Sequence, residues 1–323
     1  MEFLTFFDEG EPNVNLYGGK GSNLIKLKRL GINVPNGFII NSHTFKIFLK
    51  TSKNSQKINN LFSHKIEVSE LLNISNEIQT LIRKSAFPNN FIKEIQNALV
   101  KLEISNNEGF FKAVRSSANF EDSKSFSFAG QAESFLCNES LDDITNSIKE
   151  CWCSLFSPGA LLYLIRINRE GESLDLKDLQ MAVIIQKMIE SEISGVTFTS
   201  NILNNNRDEI LINSAWGLGE AIASNKTTPD TFIVNKKDLQ ILRKIIGKKD
   251  KMVINHPDEP CTKVTEVDKD LQTIPSLNDT QIKEICRISL EIESLLGSPQ
   301  DIEWAFHNNE IYILQSRPIT TLK

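Results

Sequence analysis

The chain has 323 residues, 40% hydrophobic and 24% charged, with a formal net charge of −5; this length suits two domains or one large two-lobed domain with a substantial core. The acidic balance and the lack of a long basic run exclude a general nucleic-acid binder, while a local basic cleft around a phosphate ligand stays open. No apolar run reaches the roughly 18 residues of a membrane span, and the acidic start MEFLTFFDEGEPN has no basic signal-peptide region, so a cytoplasmic protein is expected.

In chain order, GGKGSNLIKLKRLGINVPNGFII (residues 18–40) reads as a glycine loop, an amphipathic helix with Leu24, Ile25, Leu27 and Leu30 on its stripe, and a turn into a strand. Gly31 ends the helix and Pro35 forbids restarting it. Residues 41–108 read as mostly helical, and FFKAVRSS (110–117) as a short strand running into a hydroxyl-rich loop. LDDITNSIKECWCSLFS (141–157) is a helix with Ile144, Ile148, Cys151 and Leu155 on one face. Its CWC is C-x-C with no second pair at zinc spacing; the five scattered cysteines are therefore expected as free thiols in a reducing compartment.

LQMAVIIQKMI (179–189) is a continuous apolar strand, as expected of one buried on both faces. GVTFTS (195–200) and EILINSAW (209–216) are further strands, and residues 228–245 read as two strands around Lys236–Asp238. DTQIKEICRISLEIESLLG (279–297) is a helix with Gly297 as its C-cap. Helices first and strands later predict an α+β fold in two lobes that meet near Gln186–Ser191, divided as 1–187 and 188–323.

Three stretches carry chemistry. GGKGSN (18–23) puts Lys20 among glycines at a helix start, where backbone N–H groups and a point charge suit phosphate; a plain turn with a solvated lysine is the alternative. VRSSANFEDSKSFSFAGQAESF (114–135) places Arg115 at the base of a loop rich in serines and closed by Gly130. Such a loop suits a flap that hydrogen-bonds phosphate oxygens over a bidentate guanidinium, against an ordinary surface loop. Phe120, Phe126 and Phe128 favour a flap that packs down when closed.

The third stretch is DIEWAFHNNEIYILQSRP (301–318). Alternation puts Ile302, Trp304 and Phe306 on one face of the first strand and Asp301, Glu303 and Ala305 on the other. In the second strand it puts Tyr312 and Leu314 on one face, Ile313, Gln315 and Arg317 on the other. A three-residue turn, Asn308 to Glu310, sets Glu303 opposite Gln315 and Asp301 opposite Arg317. Hard oxygens on a rigid strand pair suit Mg²⁺ shared with substrate phosphates, the arginine facing the phosphoryl group. The alternative is a solvent-facing hairpin with an Asp301–Arg317 salt bridge.

Six ordered runs, GGKGSNL…GINVPNGFII, AVRSSANFEDSKSFSFAGQAESF, CWCSLFS, MAVIIQKMIESEISGVTFTSN, SAWGLGEAI…PDTFIV and PQDIEWAF…IYILQSRPIT, cover residues 18–320. Together they resemble the N-terminal nucleotide-binding domain of the dikinases: phosphoenolpyruvate synthase, pyruvate phosphate dikinase and rifampin phosphotransferase. The resemblance implies a two-lobed ATP-grasp fold with Mg²⁺ and ATP held in a cleft between the lobes. It implies that Lys20, Arg115 and Arg317 contact phosphate and act in catalysis, and that Gly130 and Ser134 end the phosphate loop. It also implies that Gln186 and Met188 lie beside the adenine and that Glu303 and Gln315 form the metal-side pair. The GLGE turn (217–220) carries no sharper role than packing near the cleft.

The family's T-G-G-x-x-S-H carrier histidine lies in a separate domain, and none of His43, His64, His256 and His307 stands in such a motif. The expected function is thus the ATP-cleaving module of a dikinase-type phosphotransferase, an enzyme incomplete without a phosphohistidine domain in trans or outside this chain. The acceptor, pyruvate, an antibiotic or another small molecule, is not encoded here. The alternatives are a self-contained ATP-grasp kinase or ligase and a non-catalytic nucleotide-binding subunit. Neither nucleic acid nor membrane is an expected partner.

Overall fold

The computed structural model describes residues 3–61, 68–104, 111–118, 134–162, 180–256, 261–320 and 322. Helices and strands are mixed as α+β. The chain forms two compact units, Met1–Ile25 with Asn36–Met188, and Lys26–Pro35 with Ile189–Lys323.

The first unit holds a five-stranded antiparallel sheet in the order β1-β2-β5-β3-β4. These strands are β1 (Leu4–Phe6), β2 (Gly37–Ile40), β3 (Lys112–Ala118), β4 (Ser134–Asn138) and β5 (Met181–Lys187). One face of the sheet carries Phe38, Ile40, Val114, Val183 and Ile185, all buried in the core. Helices α2 (His43–Thr51), α3 (Ser55–Leu61), α4 (Leu71–Lys84), α5 (Asn89–Ile104) and α6 (Leu141–Ser154) contribute to that core, α2 and α6 directly against β5. The Trp152 ring of α6 anchors it, with centroids 5.1 Å from Phe45, 5.0 Å from Phe48 and 5.7 Å from Phe87. Ile144, Ile148, Cys151 and Leu155 are buried as the helical spacing predicts, and Ser140 with Asp143 closes a capping box at the α6 N-terminus.

The opposite face carries Thr5, Ile39, Ala113, Arg115, Ser117, Ile184 and Gln186, as the strand register requires. Helix α1 (Val14–Arg29) lies on it through its first-unit residues: Ser117 Oγ accepts from Gly21 N at 3.0 Å and donates to Tyr17 O at 2.7 Å. The helix starts ahead of the glycines and is broken at Gly18 (φ 69, ψ 175). A Cβ there would lie 2.2 Å from Ser117 O, so glycine meets both the conformation and the close approach. Leu24, Ile25 and Leu27 are buried, but Leu30, expected on the stripe, is 47% exposed because the helix has ended at Arg29.

The second unit is a six-stranded antiparallel sheet in the order β13-β12-β6-β7-β8-β9. Its strands are β6 (Ile193–Phe198), β7 (Glu209–Trp216), β8 (Asp230–Asn235), β9 (Ile241–Ile245), β12 (Gln300–His307) and β13 (Glu310–Pro318). A separate hairpin joins β10 (Lys251–His256) to β11 (Cys261–Glu266). Ile212, Phe232, Ile302 and Trp304 share the sheet's apolar face and are buried. The helix Asp279–Leu296 packs against β12 and buries Ile282, Ile285, Cys286, Ser289 and Ile292; Gly297 ends it at φ 78. Cys151, Cys153 and Cys286 are free and buried, burial pushing the Cys286 thiol up to about 12. Cys137 is disulfide-bonded, against the expectation of free thiols throughout. Among the described residues no helix is long and apolar enough to cross a membrane.

A fully buried ion pair fixes the start of β8. Asp230 Oδ1 accepts from Lys249 Nζ at 2.5 Å and Gly247 N at 2.9 Å, while Oδ2 accepts from Ser276 N and Oγ, each at 2.7 Å. Both charged side chains are 0% exposed. Removing one partner strands the other charge in the interior, a loss of about 3–5 kcal/mol. Asp230→Ala is therefore expected to lower unfolding stability by about that amount in urea titration; a change below about 1 kcal/mol would show that the pair does not hold the unit together.

Candidate functional site

In the first unit the register sets Arg115 between Ser134 on β4 and Ile184 on β5. Gln186 sits diagonally from Arg115, opposite Ala113 and Gly37, on the same sheet face. Lys20 reaches β3 from α1; it is 6% exposed and its Nζ donates to Ser116 O at 3.5 Å. Lys20, Arg115, Ser134 and Gln186, far apart in sequence, are thereby all associated with β3 and its two neighbouring strands. Gln186 is 1% exposed, and its Nε2 has no hydrogen-bond partner among the described residues. A buried, unsatisfied amide donor is costly unless something accepts from it. Met188 follows at the strand end, its N donating to Phe111 O at 3.0 Å and its Sδ accepting from Cys137 N at 3.0 Å. Gly130 and the serine flap lie outside the described residues.

In the second unit the β12–β13 hairpin carries the remaining candidates. Glu303 is opposite Gln315 and Asp301 opposite Arg317, the expected pairing. The route to it differs from the expectation. The turn has two residues, Asn308 and Asn309, with φ of 50 and 63, and a bulge at Leu314 restores the register. The bulge also reassigns a face: Ile313 pairs with Trp304 and is 2% exposed, on the core side rather than beside Gln315.

The resulting polar patch is tightly bonded. Gln315 Nε2 donates to Glu303 Oε1 at 3.2 Å, and Arg317 donates to Asp301 Oδ2 through Nε at 2.9 Å, with its terminal NH2 group at 2.8 Å. The row continues through Val196 to Asn213 and Thr231, where Thr231 Oγ1 donates to Asn213 Oδ1 at 2.9 Å. Sequence reasoning missed these two; the signal was Asn213 following the apolar run Ile210–Ile212 in EILINSAW. Glu303 and Gln315 offer one anionic and one neutral oxygen donor on adjacent strands. That set fits Mg²⁺, which takes one or two protein ligands and completes its shell with phosphates and water. No group of three His, Cys, Asp or Glu residues able to hold a metal exists among the described residues.

Burial holds the Asp301 carboxyl above its ordinary 3.8; Arg317 pulls it back down and the Glu303 charge pushes it further up. The folded state therefore keeps this proton to higher pH than the unfolded chain does. The stabilising contribution is full below 3.8 and is lost as pH rises through the raised value. In chelator-treated protein, Glu303→Gln is expected to lower the Asp301 midpoint, followed by carboxyl-carbon NMR. An unchanged or higher midpoint would show that the two carboxylates do not repel across the strand.

Residues 14–323 match the pyruvate phosphate dikinase AMP/ATP-binding domain. A probable phosphoenolpyruvate synthase of Methanocaldococcus jannaschii is 37% identical over 100% of this chain and 27% of its own length. The phosphoenolpyruvate synthase of Pyrococcus furiosus is 36% identical over 99% of this chain and 44% of its own. Rifampicin phosphotransferase of Bacillus subtilis is 36% identical over 97% and 35%. The chain thus spans less than half the length of these curated relatives, and it belongs to the pyruvate phosphate dikinase AMP/ATP-binding domain family.

Proposed function

We propose that the chain is the Mg-ATP-binding and ATP-cleaving module of a dikinase-type phosphotransferase, with an ATP-grasp fold whose cleft lies between its lobes. It passes phosphate to a histidine domain outside residues 1–323, which hands it to a small-molecule acceptor. The observation that carries this reading is the Glu303–Gln315 rung beside the Asp301–Arg317 pair. A carboxylate and amide for the metal and a guanidinium for phosphate are the groups that phosphoryl transfer needs.

In this reading Lys20 and Arg115 bind the phosphates, with Gly130 and Ser134 at the end of the covering loop. Gln186 donates its buried amide proton to the base, beside Met188. Glu303 and Gln315 hold Mg²⁺, which when bound neutralises charge on the phosphate oxygens. Arg317, held by Asp301, faces the phosphoryl group. Support for a separate histidine comes from the greater length of the relatives. His307, on the hairpin itself, has both ring nitrogens engaged, by Glu190 O at 2.7 Å and Asn308 Nδ2 at 2.9 Å.

The test is phosphorus NMR of Mg-ATP with this chain. Binding without turnover is expected for the chain alone, and AMP plus inorganic phosphate once a phosphohistidine domain is added, the remaining phosphoryl group being carried on the histidine. Turnover of ATP by the chain alone, to ADP or to AMP, would instead favour a self-contained kinase or ligase. With the histidine domain present, Glu303→Ala is expected to abolish Mg-dependent turnover while the circular dichroism spectrum stays unchanged; normal turnover would remove Glu303 from the site. Arg115→Ala is expected to weaken ATP binding roughly tenfold or more, the loss of a charge-assisted hydrogen bond, read by calorimetry; unchanged affinity would sink its phosphate role.

A further inference from the structure

β13 is the edge strand of the second sheet, with β12 on one side only. An open edge leaves backbone N–H and C=O groups that need partners. Asn33 takes two of them: its Nδ2 donates to Ile311 O at 3.0 Å, and its own backbone O accepts from Ile313 N at 2.9 Å. One residue thus occupies the place of a neighbouring strand, its side-chain amide standing in for a backbone N–H.

The segment that carries Asn33 is itself tied down within the second unit. Lys26 Nζ donates to Leu295 O at 2.6 Å, at the end of the helix Asp279–Leu296, and Lys28 Nζ donates to Val34 O at 2.7 Å. The clamped residues, Ile311 and Ile313, lie immediately before the Leu314 bulge. That bulge alone brings Gln315 opposite Glu303, because the two-residue turn sets the rest of the hairpin one residue out of that register. A slip by one residue would send Gln315 to the other face of the sheet.

We propose that Asn33 is a positioning residue for the metal-side rung. By clamping Ile311 and Ile313 it holds the bulge at Leu314 and keeps Gln315 opposite Glu303. The inference rests on the reading of Glu303 and Gln315 as Mg²⁺ donors.

The experiment titrates Mn²⁺ into the chain saturated with a non-hydrolysable ATP analogue, reading free Mn²⁺ by electron paramagnetic resonance. Asn33→Asp keeps the side-chain shape but sets a carboxylate oxygen against Ile311 O. It is expected to weaken Mn²⁺ roughly tenfold, the scale on which outer groups act on a metal site. Metal-free affinity for the analogue should not change, the Ile313 amide should exchange faster, and adding the substitution to Glu303→Gln should weaken Mn²⁺ no further. Unchanged Mn²⁺ affinity in Asn33→Asp, with a clear loss in Glu303→Gln, would overturn the role of Asn33 and leave the rung as a metal site. No loss in Glu303→Gln would take down both. An equal loss of metal-free analogue binding would mark general damage and also overturn the proposal. If Asn33→Asp does not fold, Asn33→Ala, which removes the amide without adding charge, is read in the same way.

Discussion

The Trp304 ring lies over β6 only because position 195 is glycine; a Cβ there would sit 2.2 Å from the ring and 2.4 Å from Asn213 O. The indole Nε1 donates to Thr197 Oγ1 at 2.8 Å, so the largest side chain of the hairpin is held on the core face by both shape and a hydrogen bond. Once Trp304 points inward, strand alternation sends Asp301 and Glu303 outward. The polar rung is therefore a consequence of how the core is filled. A hairpin that looks built for burial carries two carboxylates, an amide and a guanidinium because it has two faces and only one of them is core.

The first unit uses the same alternation with a different closing device. One face of its sheet packs beneath Trp152 and the surrounding phenylalanines, and the other is approached by α1 through glycines. Gly18 and Gly21 let the helix backbone come within hydrogen-bond reach of Ser117, which brings Lys20 to β3. Small residues here set the distance between a basic side chain and the sheet that carries Arg115 and Gln186.

Much of this was legible in the sequence. The strands β6 to β9, the α6 stripe and the Gly297 cap follow local rules of period and turn chemistry, and they lie where those rules place them. The Glu303–Gln315 and Asp301–Arg317 pairings were also readable, although two errors cancelled: the turn is one residue shorter than expected and the bulge adds one back. A bulge at leucine leaves no trace in an apolar pattern, so the change of face at Ile313 could not be read. β1 and β4 were missed because short strands take their identity from the neighbours they pair with. β10–β11 shows little burial, and so little alternation to detect. Asn33 was invisible for a related reason, since its partners lie in a strand at the far end of the chain.

That distance has a consequence for how the protein is made. Asn33 and Ile311 are separated by 278 positions, and Lys26 and Leu295 by 269. The segment Lys26–Pro35 leaves the ribosome well before its binding partners, which are synthesised 269 and 278 positions later. The first unit has its complete sequence once Met188 has been synthesised, whereas the second closes only after its C-terminal hairpin appears. Contacts of such long range form late and slow the overall process. Until then Asn33 has no strand to clamp, and β13, once synthesised, is an open edge that can mispair before the clamp engages.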